Sequence, residues 1–119
     1  VQAGVDGDKA TILKDSDIVF NTGAAGIQLM DDDLVASSSN LKICADVNAV
    51  PPAGIAGVDV MDNIVEMKNS PSGCFGIGAL AIGNIKYKSQ HDCLKLMHTS
   101  DKPVYLHFEH AFEFAQKDV

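Results

Sequence analysis

Basic residues are scarce in this sequence of 119 residues. Lys and Arg together number 9, Asp and Glu number 16, and the net charge at pH 7 is −7. Proteins that bind nucleic acid need basic patches to neutralise phosphates, so this charge balance argues against such a partner. No apolar run approaches the length that crosses a bilayer, and no charged segment followed by an apolar one opens the chain. We therefore expect a cytoplasmic protein that binds neither nucleic acid nor membranes.

Cysteine is rare as well. Cys44, Cys74 and Cys93 are odd in number, widely spaced and without a C-x-x-C pair. This pattern favours neither a disulfide framework nor a zinc site, and we expect small buried side chains. The four histidines form two pairs at near-helical spacing but lack a third ligand nearby, so we predict no metal centre. No P-loop, nucleophile elbow or Ser/His/Asp arrangement is visible in the sequence.

Short apolar runs alternate with segments of helical periodicity along the chain. We predict buried strands over residues 18–20 and 41–46, a third strand over 74–77, an edge strand over 1–5 and a weaker extended segment over 58–67. Helices are predicted over residues 8–14, 28–36 and 80–98, and a last helix ends near residue 117. Such alternation with short connections is typical of βαβ units. We therefore expect a single α/β domain over residues 1–119, with a mostly parallel sheet flanked by helices.

An apolar stripe marks the last predicted helix. Phe108, Ala111, Phe112 and Ala115 recur there at spacings of three and four. A stripe of this kind is typical of a helix whose apolar side packs on a core. We therefore predict that these side chains are buried.

Three predicted strands end in small or polar residues, over residues 21–26, 46–52 and 78–83. Because ligands of open α/β sheets bind at the carboxyl ends of the strands, these loops indicate a binding edge. In the second loop, Asp46 and Asn48 precede Pro51 and Pro52, whose rings restrict the backbone to one path. Asp46 and Asn48 also have a simpler interpretation, since Asx side chains commonly satisfy backbone groups in turns. The sequence pattern leaves both interpretations open.

Gly76 and Gly78 belong to a G-x-G-x-x-A motif between a predicted strand and a predicted helix, which is formally the dinucleotide fingerprint. That fingerprint needs an acidic residue at the end of a second strand, whereas Asp92 lies within the predicted helix. We therefore interpret the glycines as residues that permit a tight turn and a close backbone approach. Lys86 and Lys88 follow in the same helix, where at most one of them can face the binding edge. An ordinary surface lysine is the alternative for either.

Three blocks of the sequence are distinctive: KDSDIVFNTGAAG at residues 14–26, ADVNAVPPAGI at 45–55 and GALAIGNIK at 78–86. Their order and spacing resemble the NADP-binding part of the methylene-tetrahydromethanopterin and methylene-tetrahydrofolate dehydrogenases of C1 metabolism. The block at 45–55 is the most specific, and the resemblance extends to the last helix. It implies a Rossmann-like partial domain, the carboxyl-terminal part of an NADP-binding domain, without the first βαβ unit and its glycine-rich phosphate loop.

The resemblance also implies roles for individual residues. The cofactor-binding residues would be Thr22, Gly23 and Ala24 on one loop and Asp46, Val47 and Asn48 on the next, beside the nicotinamide ring. Lys86 falls on the family's G-x-x-K position and would be the catalytic lysine that faces the pterin or folate. The reaction would move a hydride from the methylene group to NADP, with NAD as the alternative cofactor. Positioning would carry most of the catalysis, and a rigid Pro-Pro loop suits it.

The same resemblance sets expectations about partners. The chain begins with Val1, so we expect a missing amino-terminal half that holds the cofactor's phosphates, together with a tetrahydropterin C1 carrier as substrate. We also expect a homo-oligomer. Two alternatives are a non-catalytic Rossmann-like binding or oligomerisation module that has lost cofactor binding, and another enzyme of the methylene-tetrahydrofolate dehydrogenase/cyclohydrolase type.

Overall fold

An open four-stranded sheet forms the centre of the computed structural model, which describes residues 3–118. Its strands are β1 (Ile18–Asn21), β2 (Ile43–Asp46), β3 (Asn63–Glu66) and β4 (Phe75–Ile77), in the spatial order β1-β2-β4-β3. Both β1 and β4 pair with β2 in parallel, whereas β3 pairs with β4 in the antiparallel sense. The predicted α/β architecture with a mostly parallel sheet is therefore confirmed.

Four helices complete the described chain. A 3₁₀ turn (Asp6–Asp8) leads into α1 (Lys9–Lys14), α2 (Asp32–Ser37) connects β1 to β2, α3 (Ala79–Thr99) follows β4, and α4 (Phe108–Lys117) comes last. The chain divides into two compact units, Val1–Ala81 and Ile82–Val119. The first holds the sheet, α1 and α2, and the second holds most of α3 and all of α4. A single domain over the whole chain stays a prediction.

The core of the first unit lies against β2, the central strand of its parallel part. Cys44 and Ala45 of β2 point to opposite faces of the sheet and are both buried, as expected where a parallel strand is covered on both faces. Helices α1 and α2 each add one fully packed side chain. The buried cluster consists of Leu13, Met30, Val35, Leu41, Cys44, Ile55, Val58, Met67 and Cys74.

Helix α2 begins later than the predicted helix over residues 28–36. The side chain of Asp31 accepts a hydrogen bond from the backbone amide of Leu34 (2.9 Å) and so caps the helix at its N-terminus. Met30 lies outside the helix because it forms a parallel bridge with Ile55: its backbone amide donates to the carbonyl of Gly54 (3.0 Å), and its carbonyl accepts from the amide of Ala56 (2.8 Å). This long-range pairing outweighs the local helical periodicity.

The predicted edge strand over residues 1–5 is wrong where it can be tested. Val1 and Gln2 lie outside the described residues, and Ala3–Gly4–Val5 pair with no strand. The backbone carbonyl of Val5 instead accepts from the backbone amide of Asp8 (2.9 Å), and the backbone amide of Val5 donates to the Asp8 carboxylate (3.0 Å). These two bonds start the 3₁₀ turn, so Val5 caps the turn that precedes α1 and does not belong to a strand.

Two burial predictions are also wrong. In β1, Ile18 is 52% exposed and Phe20 is 72% exposed; β1 is an edge strand, with a neighbouring strand on one side only. In α4, Phe108 is 78% exposed and Phe112 is 62% exposed. The helical periodicity of α4 is correct, but periodicity identifies only the apolar side of a helix and does not supply the element that covers it. Among the described helices, none is both long and apolar enough to cross a membrane.

Candidate functional site

The carboxyl ends of β1 and β2 bring two polar side chains together. Asn21 and Asp46 occupy the same register position on the two parallel strands. The side-chain amide of Asn21 donates to Oδ1 of Asp46 at 2.7 Å. Asn21 is 5% exposed and Asp46 is 2% exposed. The predicted edge therefore contains a buried amide–carboxylate pair at the centre of the first two loops.

The carboxylate of Asp46 organises the loop that follows β2. Its Oδ1 also accepts from the backbone amide of Asn48 (3.0 Å), and its Oδ2 accepts from the backbone amide of Ile55 (3.0 Å). Three donors thus satisfy the two oxygens, which explains how a charged group is tolerated in a buried position. The bond to Ile55 closes the loop over residues 47–54 onto the end of β2.

Asn48 ties this loop to the loop that follows β1. Its Oδ1 accepts from the backbone amides of Gly26 (3.1 Å) and Val50 (3.0 Å), and its Nδ2 donates to the carbonyl of Pro52 (2.9 Å). The Pro51–Pro52 peptide bond is cis. Asx side chains therefore satisfy backbone groups here, as the simpler interpretation held, and they do so at the predicted binding edge.

The first loop presents small residues at the surface. Thr22 and Ala24 are exposed, and the backbone amide of Gly23 donates to Oδ1 of Asn21 at 3.1 Å. A Cβ at Gly23 would lie 2.6 Å from the side chain of Leu29, so a larger residue there would have to displace its neighbour. Gly23 therefore lets the backbone of this loop pack closely against Leu29 and Asn21.

A cleft of about 150 Å³ opens beside the second loop. Asp46 and residues 48–51 form one wall, residues 58–60 form another, and Gly78 and Ala79 close the end. Complete ligand pockets measure about 300–1,000 Å³, so this cleft accommodates one ring-sized part of a ligand rather than a whole dinucleotide. The second and third predicted strand-end loops both contribute to it.

Gly78 allows the third strand end to reach this cleft. Its backbone amide donates to the carbonyl of Asp62 (2.9 Å), and the amide of Leu80 donates to the carbonyl of Val60 (3.0 Å). A Cβ on Gly78 would overlap the carbonyl of Asp59 and lie 2.7 Å from the backbone of Val60. The interpretation of this glycine as a close-approach residue is confirmed.

Two cysteine thiols lie in the core below the loops. The Sγ atoms of Cys44 and Cys74 are 3.5 Å apart, and both residues are fully buried. Burial, with a smaller effect of the adjacent Cys74 thiol, raises the pKa of Cys44 to about 12. Burial also raises the pKa of Cys74. Thiols held protonated in this way are poor nucleophiles, so we assign them a packing role. The described residues contain no group of three or more metal-ligating side chains.

The structure brings five of the predicted cofactor-binding residues onto two interlocked loops, and places Asp46 at the strand end between them. Lys86 lies in α3, in the second unit, and its side chain is exposed. Sequence reasoning missed the part played by Asn21. The available signal was a polar residue directly before Thr22, at the end of a strand predicted to run parallel to the strand that ends at Asp46.

Comparisons with known proteins agree with the resemblance seen in the three sequence blocks. The chain is 39% identical over 103 residues to an NAD(P)-dependent methylenetetrahydromethanopterin dehydrogenase of Methylorubrum extorquens, which covers 87% of the chain and 34% of that protein. It is 34% identical over 100 residues to the bifunctional protein MdtA of the same organism, covering 84% of the chain and 33% of that protein. The chain thus spans about a third of the length of the curated relatives it matches. No protein-family model matches it.

Proposed function

We propose that this chain is the nicotinamide-binding part of an NAD(P)-dependent oxidoreductase of C1 metabolism. The enzyme would transfer a hydride from the methylene group of methylene-tetrahydromethanopterin, or of methylene-tetrahydrofolate, to NADP or NAD. The observation that supports this most directly is the pair of interlocked loops at the carboxyl ends of β1 and β2, the second of which lines a ring-sized cleft. The similarity to a dehydrogenase named for this substrate supports the same reaction.

The residues at this edge fit a nicotinamide ring. Thr22, Gly23 and Ala24 would lie along one side of the ring, since Thr22 and Ala24 are exposed residues of the first loop. Val47, which is 45% exposed, would contact the ring from the second loop. The side chains of Asp46 and Asn48 are occupied by internal hydrogen bonds, so these two would bound the ring site through their backbone and through the shape they impose.

Bound NAD(P) would supply the hydride acceptor. The protein's own contribution would be to hold two flat reactants in line and to exclude water, because the nitrogens next to the methylene carbon delocalise the positive charge that develops. Lys86 would act as the catalytic residue that faces the pterin or folate. No residue at the two loops is required as a general acid or base.

Nucleotide binding provides the first test. NADPH and NADH should be titrated into the full-length protein that contains this chain, and into the chain alone, with nicotinamide fluorescence as the readout. We expect clear binding by the full-length protein and weak binding by the chain, because the cofactor's phosphates would be held elsewhere. Tight binding by the chain alone would contradict the division of the site, and no binding by either would overturn the function.

The choice of C1 carrier needs a separate measurement. Initial rates of NAD(P) reduction by the full-length protein should be compared with methylene-tetrahydromethanopterin and methylene-tetrahydrofolate as substrates. We expect the higher kcat/KM with the methanopterin derivative, which is the substrate in the name of the more similar relative. The reverse preference would identify the folate enzyme.

We further propose that the full-length protein forms a homo-oligomer, which sedimentation velocity measures directly.

A further inference from the structure

We propose that Asn21, together with Asp46, is a positioning residue that fixes the two nicotinamide-facing loops relative to each other. This inference rests on the proposed function, since it assigns these loops to the nicotinamide site. Neither side chain would touch the cofactor. Both would act through the residues that they hold, namely the loop that contains Thr22 and Gly23 and the loop that contains Val47.

The amide of Asn21 is engaged at both ends. Its Nδ2 donates to Asp46 Oδ1 at 2.7 Å, and its Oδ1 accepts from the backbone amide of Gly23 at 3.1 Å. The opposite amide orientation would place an oxygen against a carboxylate and an NH₂ group against an N–H, so only one orientation satisfies both partners. Asn21 therefore connects the loop after β1 to the carboxylate at the end of β2.

Asp46 passes this constraint on to two further segments. The same Oδ1 accepts from the backbone amide of Asn48, and Oδ2 accepts from that of Ile55, both at 3.0 Å. Asn21 and Asp46 are almost fully buried, so water cannot replace these bonds at low cost. Three pieces of backbone thus meet at one carboxylate.

Gly54 shows how closely this pair is packed. A Cβ on Gly54 would overlap the side-chain nitrogen of Asn21 and lie 2.8 Å from Oδ1 of Asp46. The backbone of Gly54 therefore lies directly against the amide–carboxylate contact. Any larger residue would push Asn21 and Asp46 apart and move the loops that they hold.

Displacement of the loops should affect the chemistry more than the affinity. Hydride transfer needs the donor carbon, the hydride and the acceptor carbon to be close together and aligned. Misplacing one reactant by about 1 Å costs on the order of 10²-fold in rate. The loops supply only part of the contact area of a dinucleotide, so the dissociation constant should change much less. A split between kcat and nucleotide affinity is therefore the signature of a positioning role.

Asn21→Asp gives this role a pH signature. The substitution keeps the shape of the side chain but places a second carboxylate 2.7 Å from Asp46. Two carboxylates at this distance cannot both be charged, whereas a shared proton restores a hydrogen bond between them. Apart from Asp46 itself, the charged side chains that line the two cavities beside this pair are Lys9 and Asp59, one of each sign. The variant should therefore be most nearly normal at low pH and most impaired at high pH.

The experiment compares the full-length protein with its Asn21→Asp variant and with Asn63→Asp, the same chemical change at an exposed position of β3. We expect kcat of Asn21→Asp to fall about 10²-fold at about pH 9 and to recover at least about tenfold, relative to the unmodified protein, at about pH 6. The dissociation constant for NAD(P)H should stay close to normal at both pH values. Asn63→Asp should match the unmodified protein throughout.

Two results would overturn the positioning role. One is a kcat of Asn21→Asp equal to that of the unmodified protein at both pH values, and the other is a pH-independent loss matched by the loss of nucleotide affinity. If Asn21→Asp does not fold at the higher pH, Asn21→Ala decides, because it removes the donor without adding a charge. A normal kcat in Asn21→Ala would then sink the proposal, and a reduced kcat with normal nucleotide binding would support it.

The emission spectrum of bound NAD(P)H separates this inference from the proposed function. If the unmodified protein binds NAD(P)H but oxidises neither methylene-tetrahydropterin, the proposed reaction is wrong and the loops can still be tested. Asn21→Asp should then change the emission of the bound nicotinamide at about pH 9 and restore it at about pH 6. An unchanged emission would overturn the positioning role, and an absence of NAD(P)H binding would overturn both.

Discussion

Asp46 shows how a single buried charge can organise a site. Removing a carboxylate from water costs several kcal/mol unless its oxygens are fully paired, and here three N–H donors pair them. Each bond to a charged acceptor contributes about 1.5–3 kcal/mol. The residue is therefore best understood as the point where three backbone segments are held together, and the exposed residues of the loops are left to meet a ligand.

Lys86 is the residue whose role depends most on the proposed reaction. In the full-length protein, Lys86→Ala should lower kcat about 10²-fold, because the lysine side chain would no longer hold the substrate in the orientation that hydride transfer needs. The dissociation constant for NAD(P)H should stay near its normal value. Lys88→Ala is the matched control, since its side chain points about 200° further around the same helix. Equal rates for the Lys86→Ala variant and the unmodified protein would remove the assignment.

The raised pKa of the Cys44 thiol makes the free energy of unfolding of this chain depend on pH. Burial raises its pKa from 9.0 to about 12, so above pH 9 the unfolded chain loses a proton that the folded chain keeps. Stability is therefore at its full value below pH 9 and falls as the pH rises towards 12, by about 1.4 kcal/mol per pH unit. Urea unfolding at about pH 8 and about pH 10.5 measures this slope. The Cys44→Ala variant should lose most of this dependence on pH. An unchanged slope in the variant would show that the raised pKa of Cys44 is not its cause.

At the scale of elements, the strands were predictable and their surroundings were not. The β-branched run of β1 and the apolar run of β2 locate these strands within two residues, because β-branched and aromatic residues favour strands whether or not the strand is covered. Helix α2 was misplaced because the backbone of Met30 bonds to Gly54, and such a long-range pairing leaves no local pattern. The stripe of α4 has the right period, but its two phenylalanines are exposed because coverage depends on other elements.

The candidate site follows the same division. The loops at the ends of β1 and β2 could be predicted from topology, since parallel strands end at one edge. The bond between Asn21 and Asp46 could not, because it depends on the register of the two strands. Register is set by the packing of whole strands, which a short motif does not contain.

The turn from β4 into α3 provides a test at this scale. Gly78→Ala should destabilise the chain by about 1–3 kcal/mol, because the new Cβ would overlap the backbone of Asp59 and Val60. Gly83→Ala is the matched control within α3, where no heavy atom apart from the adjoining backbone of the helix lies within 4 Å of the added Cβ. That change should stabilise the helix by about 0.5–1 kcal/mol. Thermal unfolding of both variants compares them, and similar shifts would contradict the close approach at Gly78.

At the scale of the whole molecule, the proposed function makes this chain one part of a larger site. It matches about a third of the length of its relatives, and its cleft has room for one ring of a dinucleotide. With a net charge of −7, the chain has few basic side chains that could bind the cofactor's phosphates. This agrees with the prediction that another part of the protein binds them. The two loops would then supply orientation, which is the main requirement of hydride transfer between two flat reactants.

Isotope transfer in the full-length protein measures that reaction itself. The methylene group of the tetrahydropterin is labelled with deuterium, the protein is supplied with NADP, and the reduced nucleotide is analysed by mass spectrometry. Direct transfer predicts one deuterium in the reduced nucleotide, with no label lost to water. A reduced nucleotide without deuterium, or bound NADP that is not reduced, would contradict the assignment of this chain to a hydride-transferring enzyme.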